Sequence, residues 1–231
     1  MICSIHQPNY IPYIGLFHKI LLSDIFIFYD NAQYTKGDFH NRNTIKGPNG
    51  PILLSLPVSV KMGQAINEVS FTYGSLDKHW KTIEQSYKKS KFYNQFSGQI
   101  KSIFDYTGTN LAAYNIRSIK ILCELLGIST QLVVLSEMMP SMTSSSSEAL
   151  ADICALYGSD TYISGSGGRG YIDSSIFKKA NVALKFQDFH HPTYVQLWGD
   201  FIPYMSIIDL IFNEGPESIG ILKNSGGILD I

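Results

Sequence analysis

The chain is short of charge. Asp, Glu, Lys and Arg make up 16% of its 231 residues, against about 25% in an average soluble domain. Lys and Arg together number 18 and Asp and Glu 19, a net charge of −1, so the basic surface that holds a nucleic-acid backbone is lacking. Arginine is scarcer still: Arg42, Arg117 and Arg169 are all there are. Cysteine is limited to Cys3, Cys123 and Cys154. An odd count without CxxC spacing argues against a disulfide framework or a thiolate metal site and reads as reduced core thiols. The opening residues carry neither a basic stretch nor a long apolar one, so no secretory leader is expected. Apolar stretches are broken by Ser23-Asp24 and by Pro203, Ser206 and Asp209, and none reaches the ~20 residues of a membrane helix. The expectation is a soluble, cytoplasmic protein with no nucleic-acid partner, no membrane partner and no metal site.

Apolar and aromatic residues are plentiful. The chain is 45% hydrophobic, with 14 Tyr, 13 Phe and 2 Trp, which excludes disorder. A chain this long buries about 70% of its unfolded surface without a disulfide or metal staple. One α/β domain covering 1–231 is expected.

Periodicity gives the order of elements. Residues 2–5 are β-capable, and Pro12 opens a helix that carries Ile14, Phe17, Ile20 and Leu21 at helical spacing. Residues 25–29 form an apolar run of strand length. Strand, helix and apolar strand together predict a parallel, right-handed βαβ unit. Residues 36–51, rich in Gly and Pro, read as a loop or hairpin. Residues 52–60 read as a strand, at an edge or bulge because Pro57 lies inside it. A mainly helical insertion around 77–127 follows, with Asn110 as a cap and Gly127 as a stop. Strands at 131–135, 161–164 and 182–186 alternate with a Ser-rich loop at 141–147, a helix from Glu148 to Gly158, a short one near Asp173 and a last one at 205–212. The alternation predicts a parallel or mixed sheet with flanking helices.

Open α/β sheets bind ligands beyond the carboxyl ends of their strands, and three polar clusters fall there. The first is His6-Gln7-Pro8-Asn9-Tyr10, where prolines stiffen the loop and the imidazole of His6 can take or give a proton near neutral pH. The same residues also suit a proline turn whose amides bond the backbone. The second is Asp30, Asn31 and Gln33; a carboxylate ending an apolar strand acts as a base, binds a cation or caps a turn. Asn41-Arg42-Asn43 comes soon after, as an anion clamp or a surface turn. The third is Ser164-Gly165-Ser166-Gly167-Gly168-Arg169-Gly170-Tyr171. Its glycines let backbone N–H groups approach an anion, with Arg169 as the charge. It matches neither GxGxxG nor GxxxxGK[ST], so neither dinucleotide nor Walker-type binding follows, and a plain turn is the other reading.

These residues together resemble the WbqC-like protein family. The likeness rests on Ile5-His6-Gln7-Pro8-Asn9-Tyr10-Ile11-Pro12-Tyr13-Ile14-Gly15, on Ser23-Asp24, on Asp30 with Gln33, and on Asn41-Arg42-Asn43. It continues through Tyr162-Ile163-Ser164-Gly165, Gly168-Arg169 with Tyr171, Tyr194 with Gln196, and Ser206-Ile207-Ile208-Asp209-Leu210. The resemblance implies a transferase of bacterial surface polysaccharide biosynthesis, the O-antigen of lipopolysaccharide in particular. It would place a glycyl, other aminoacyl or acyl group on the amine of a nucleotide-linked amino sugar. In that reading His6 or Asp30 deprotonates the sugar ammonium, and Gln7 and Asn9 bind the developing oxyanion. Tyr10, Gln33, Asn41, Arg42, Ser164, Gly165, Gly168, Arg169, Tyr171, Tyr194, Gln196 and Asp209 would contact substrate.

The opening βαβ is also similar to nucleotidyltransferase-like ligases, which adenylate a carboxylate and pass it to an amine. Their HxGH signature is not present: with its glycine on Gly15, Tyr13 and Leu16 stand at the histidine positions. No cofactor is therefore certain, and ATP with Mg²⁺ belongs only to the alternative of an ATP-dependent carboxylate–amine ligase. The other alternative is a non-catalytic saccharide- or protein-binding module whose tyrosines stack on sugars. The oligomeric state is left open.

Overall fold

The segment Ile25–Phe28 is apolar and buried at each of its positions. Side chains of a strand alternate between faces, so such a segment requires cover on both. Ile25 and Ile27 enter one hydrophobic cluster and Phe26 and Phe28 another. The computed structural model, which describes residues 1–140 and 146–230, shows how that cover is built.

Strand β1 (Ile2–His6), helix α1 (Ile14–Leu21) and strand β2 (Ile25–Phe28) form the expected unit, with β1 and β2 parallel. Two antiparallel hairpins follow: β3 (Arg42–Gly47) with β4 (Gly50–Ser55), and β5 (Val58–Ser59) with β6 (Ser70–Phe71). The single strand expected over 52–60 is thus two, because Pro57, which has no N–H to give a ladder, lies between β4 and β5. Helices α2 (Ser75–Tyr87), α3 (Tyr93–Phe104) and α4 (Leu111–Leu126) come next. Asn110 caps α4 by accepting the Ala113 N–H, and Gly127 closes it in a left-handed conformation.

Strand β7 (Gln131–Val134), the single turn α5 (Leu135–Met138), α6 (Ser146–Leu156) and β8 (Thr161–Ser164) return the chain to the sheet. Most of the Ser-rich loop expected at 141–147 lies outside the described residues. Helix α7 (Ser174–Lys179) leads to β9 (Ala183–Phe189), and α8 (Ile207–Glu214) and α9 (Ser218–Lys223) lead to β10 (Gly226–Leu229). Neither α9 nor β10 is expected from the sequence. Gly226 and Gly227 have low strand propensity, and β10 is set by antiparallel pairing along β9.

The result is a mixed α/β fold. Its six-stranded sheet has the order β10-β9-β8-β1-β2-β7, parallel throughout except for β10. Residues of α1, α4, α8 and α9 pack on one face and residues of α6 and α7 on the other. From β1 the chain steps through β2 to β7 in one direction. It then returns to the far side of β1 and steps through β8 to β9 in the other. The sheet reverses between β1 and β8, the place where open α/β sheets part to form a crevice.

The loop after β1 is held by buried amides. Asn43 donates to the carbonyls of Tyr10 and Ile11 at 3.2 and 2.9 Å, and Asn115 to those of Pro8 and His40 at 2.9 and 2.7 Å. Prolines give this loop no donors of its own at two positions, so its carbonyls depend on such partners.

Candidate functional site

A cavity of about 450 Å³ opens at the reversal between β1 and β8. His6 comes to it from the end of β1; Tyr13, Gly15 and Lys19 come from the start and body of α1. Ser164, Gly165 and Gly168 come from the end of β8 and the turn beyond it, Gln187 and Phe189 from β9, and Tyr171 and Tyr204 from the loops above.

His6 Nδ1 lies 2.8 Å from the Gln7 carbonyl. A carbonyl only accepts, so Nδ1 carries the proton and Nε2 keeps its lone pair. Burial, with Lys19 next, pulls the imidazole pKa down to about 3. His6 is therefore neutral at physiological pH, an acceptor rather than a cation.

Lys19, Gln187, Phe189 and Tyr204 line the cavity but were not among the sequence candidates, and Lys19 is the charged one. It is 4% exposed, and its Nζ donates to the Ile5 carbonyl at 3.1 Å. Burial alone lowers its pKa to about 7. The available signal was a lysine inside the run Ile14-Gly15-Leu16-Phe17-His18-Lys19-Ile20-Leu21, between two strands that both need cover.

The glycine segment is a 3-10 turn, Ser166–Gly170, folded back over the end of β8. Gly168 makes that possible, since a Cβ there would stand 2.1 Å from Ser164 Oγ and 2.8 Å from Ile172 Cδ1. Tyr171 and Tyr204 stand at the rim, 67% and 62% exposed. Tyr204 has a left-handed backbone, φ 62°, uncommon for a tyrosine. Its N–H donates to His191 Nε2 at 2.9 Å, while His191 Nδ1 donates to the Pro192 carbonyl at 2.9 Å.

Asp30 lies elsewhere. It is buried, and its carboxylate accepts the Ser136 hydroxyl at 2.6 Å, the Ser136 N–H at 3.0 Å and the Asn67 amide at 3.3 Å. It ties the end of β2 to the start of α5 and borders a second cavity, about 790 Å³, with Asn110, Arg117 and Lys120. His6 and Asp30 follow adjacent strands, yet they open into different cavities.

The other sequence candidates divide as follows. Ser164, Gly165, Gly168 and Tyr171 line the central cavity with His6. The Gln7 side-chain Oε1 accepts from His40 Nε2 at 2.8 Å, and Asn9 is half-buried and lines neither of these two cavities. Tyr10 is fully buried, stacked on Tyr114 and hydrogen-bonded to His79 Nδ1 at 2.5 Å. Gln33 borders a surface hollow with Lys36 and Lys61. Asn41 accepts the Tyr34 hydroxyl and donates to the Leu56 carbonyl, and Arg42 donates to the Gly37 carbonyl. Arg169 turns outward, its guanidinium 5.1 Å from the centre of the Phe186 ring. The structure does bring Tyr194, Gln196 and Asp209 together, but around a fully buried carboxylate. Asp209 accepts the hydroxyls of Tyr87 and Tyr194 at 2.8 and 2.7 Å and the Gln196 amide at 2.7 Å. Burial pushes its pKa up and these donors pull it back.

Among the described residues, no group of three or more His, Cys, Asp or Glu is placed to hold a metal ion, and no helix is long and apolar enough to cross a membrane.

The family model described as the WbqC-like protein family matches residues 7–221. An uncharacterized protein of Mycobacterium tuberculosis, Rv1507c, is 35% identical over 225 residues, which are 95% of this chain and 96% of that one. No solved structure matches the chain.

Proposed function

The chain belongs to the WbqC-like protein family, and on that premise we propose that it is a cytoplasmic amide-forming enzyme of bacterial surface polysaccharide biosynthesis. It transfers a glycyl, other aminoacyl or acyl group to the amine of a nucleotide-linked amino sugar, in the O-antigen pathway.

The observation that carries this reading is a neutral His6 with a free Nε2, facing a cavity at the reversal of the sheet. Amide formation needs an acceptor nitrogen with its lone pair. The sugar ammonium gives a proton to Nε2, the freed amine attacks the acyl carbonyl, and the leaving group departs with the electrons of the broken acyl bond and the second proton of the attacking nitrogen. Among the protein's own groups His6 is a weak base, held down by burial and by Lys19. A ligand anion beside Lys19 offsets the second cause and moves the imidazole toward a useful range. Tyr171 and Tyr204 at the rim give the sugar or base ring flat apolar faces.

The test is to incubate the purified protein with nucleotide-linked 4-amino sugars and with glycyl and acyl donors, and to read product mass. A new amide that disappears with His6→Ala supports the reading. Saturable sugar-nucleotide binding with no product from any donor replaces it with a binding module.

A further inference from the structure

The central cavity holds a buried lysine with no acid beside it among the described residues. Among the described residues its lining includes no Asp and no Glu, and Lys19 is its one Lys or Arg. Lys19 Nζ uses one N–H on the Ile5 carbonyl and lies 6.0 Å from the centre of the Phe26 ring. Among the described residues no carboxylate reaches ion-pair distance of it. The titratable groups facing the same space from the neighbouring elements are His6 on β1, Tyr13 before α1, Tyr162 on β8, and Tyr171 and Tyr204 above. His6 is neutral, and burial holds Tyr13 and Tyr162 above the ordinary phenol range. None of them supplies a negative charge. Buried cations are ordinarily paired, because an ammonium removed from water without an anion is costly.

We infer that this cavity is an oxyanion site, in which a phosphoryl or carboxylate group of the ligand docks against Lys19 Nζ and completes the ion pair that the protein leaves open. The anion follows from the lining alone. Its source, the diphosphate of a sugar nucleotide or the carboxylate of a donor, rests on the function proposed above. Linkage follows too. With its pKa lowered to about 7 by burial, Lys19 is mostly uncharged at pH 8 and becomes charged when an anion arrives. Binding therefore takes up a proton at pH 8, is strongest below pH 7, and weakens by roughly tenfold per pH unit above it.

Calorimetric titration with sulfate, acetate and UDP-glucose, none of which titrates between pH 6 and 8, tests this directly. Uridine is the uncharged control. At least one anion should bind the parent, more weakly at pH 8 than at pH 6 by about tenfold, with uptake approaching one proton at pH 8 in buffers of different ionisation heat. Which probe binds names the source: UDP-glucose for a diphosphate, acetate for a carboxylate. Lys19→Met removes the charge and keeps the volume; it should melt no lower than the parent and bind at least ~30-fold more weakly. If that variant does not fold, proton uptake by the parent decides. The inference is overturned if no anion binds, if Lys19→Met binds like the parent, or if pH 8 binding takes up no proton. Anion binding without amide product leaves the oxyanion site standing and removes the enzyme. Amide formation by Lys19→Met at the parental KM does the reverse.

Discussion

Tyr204 hangs from His191: a single bond from its backbone N–H to Nε2, 2.9 Å long, holds the tyrosine in a left-handed conformation at the cavity rim. The two rings also meet edge to face, with centroids 4.9 Å apart. Only a neutral His191 can accept that bond. Replacing it with Phe, which keeps the ring packing and removes the acceptor, should release Tyr204. Steady-state kinetics should show KM rising several-fold with kcat within about twofold, the pattern of lost ground-state binding. An unchanged KM removes His191 from the positioning of the rim.

Acid should destabilise the fold well before carboxylates titrate. Burial lowers the pKa of His6 to about 3 and of His79 to about 4, and also lowers those of His18, His40 and His191. The unfolded chain binds protons at about 6.5, the folded chain at lower pH. The stability these neutral histidines contribute is therefore fully present above about pH 6.5 and is lost as pH falls toward 4 and then 3. The total is on the order of 3 kcal/mol or more. Melting curves at intervals from pH 7 to pH 4 read this as a falling Tm; a flat Tm across that range refutes it.

His6 and Asp30 should separate on mutation. His6→Ala should cut turnover about 100-fold, the scale of a lost acid–base group, with little change in Tm. Asp30→Asn puts an amide NH₂ against the Ser136 donors and should cost about 2–3 kcal/mol of stability, with turnover per folded molecule nearly intact. Paired Tm and kcat measurements that show the opposite assignment would exchange the roles.

Two glycines in one turn give a matched pair. Gly168→Ala places a methyl 2.1 Å from Ser164 Oγ, so the turn must move off β8 and disturb the cavity floor. A loss of at least about 2 kcal/mol and of ligand binding is expected, on the scale of an overpacked core. Gly167→Ala meets nothing within 4 Å and should change neither. Equal effects from both would mean that the turn is not packed as described.

Arg169→Lys should alter sugar-nucleotide affinity by less than about threefold, since the guanidinium lies on Phe186 and borders a different hollow, lined also by Leu184 and Asp230. A drop of tenfold or more would bring Arg169 back into the ligand site.

Much of the scaffold was legible because local rules and tertiary packing agree in it. The apolar run at 25–29 could only be a strand covered on both faces. Asn110, Gly127 and Asp173 cap or stop helices where the sequence places them. β10 was not legible, because its glycines gain strand geometry only from β9. For the site, strand ends pointed to His6 and to the glycine turn. Spacing along a chain does not tell which way a side chain faces. Asp209, Tyr194 and Gln196 therefore read as ligand contacts, though they satisfy one another inside the core. The scarcity of arginine drew attention to Arg42 and Arg169, while the cation that lines the central cavity is a lysine. On a helix a lysine ordinarily means solvent; here α1 is covered nearly all round, and Lys19 has nowhere else to point.

The two cavities draw on different parts of the gene. The central one uses residues from 5–19, 162–171 and 187–204, and the other residue 30 with residues from 67–137. They come together where β1 pairs with β2, the His6 carbonyl accepting the Tyr29 N–H at 2.9 Å, and where Asn115 of α4 donates to the Pro8 carbonyl. Mutations accumulating at the lining residues of the second cavity, with Asn43 and Asn115 kept, can therefore reshape it while the lining of the central one is inherited intact. A lineage can change what it accommodates in one cavity without relearning what it holds in the other.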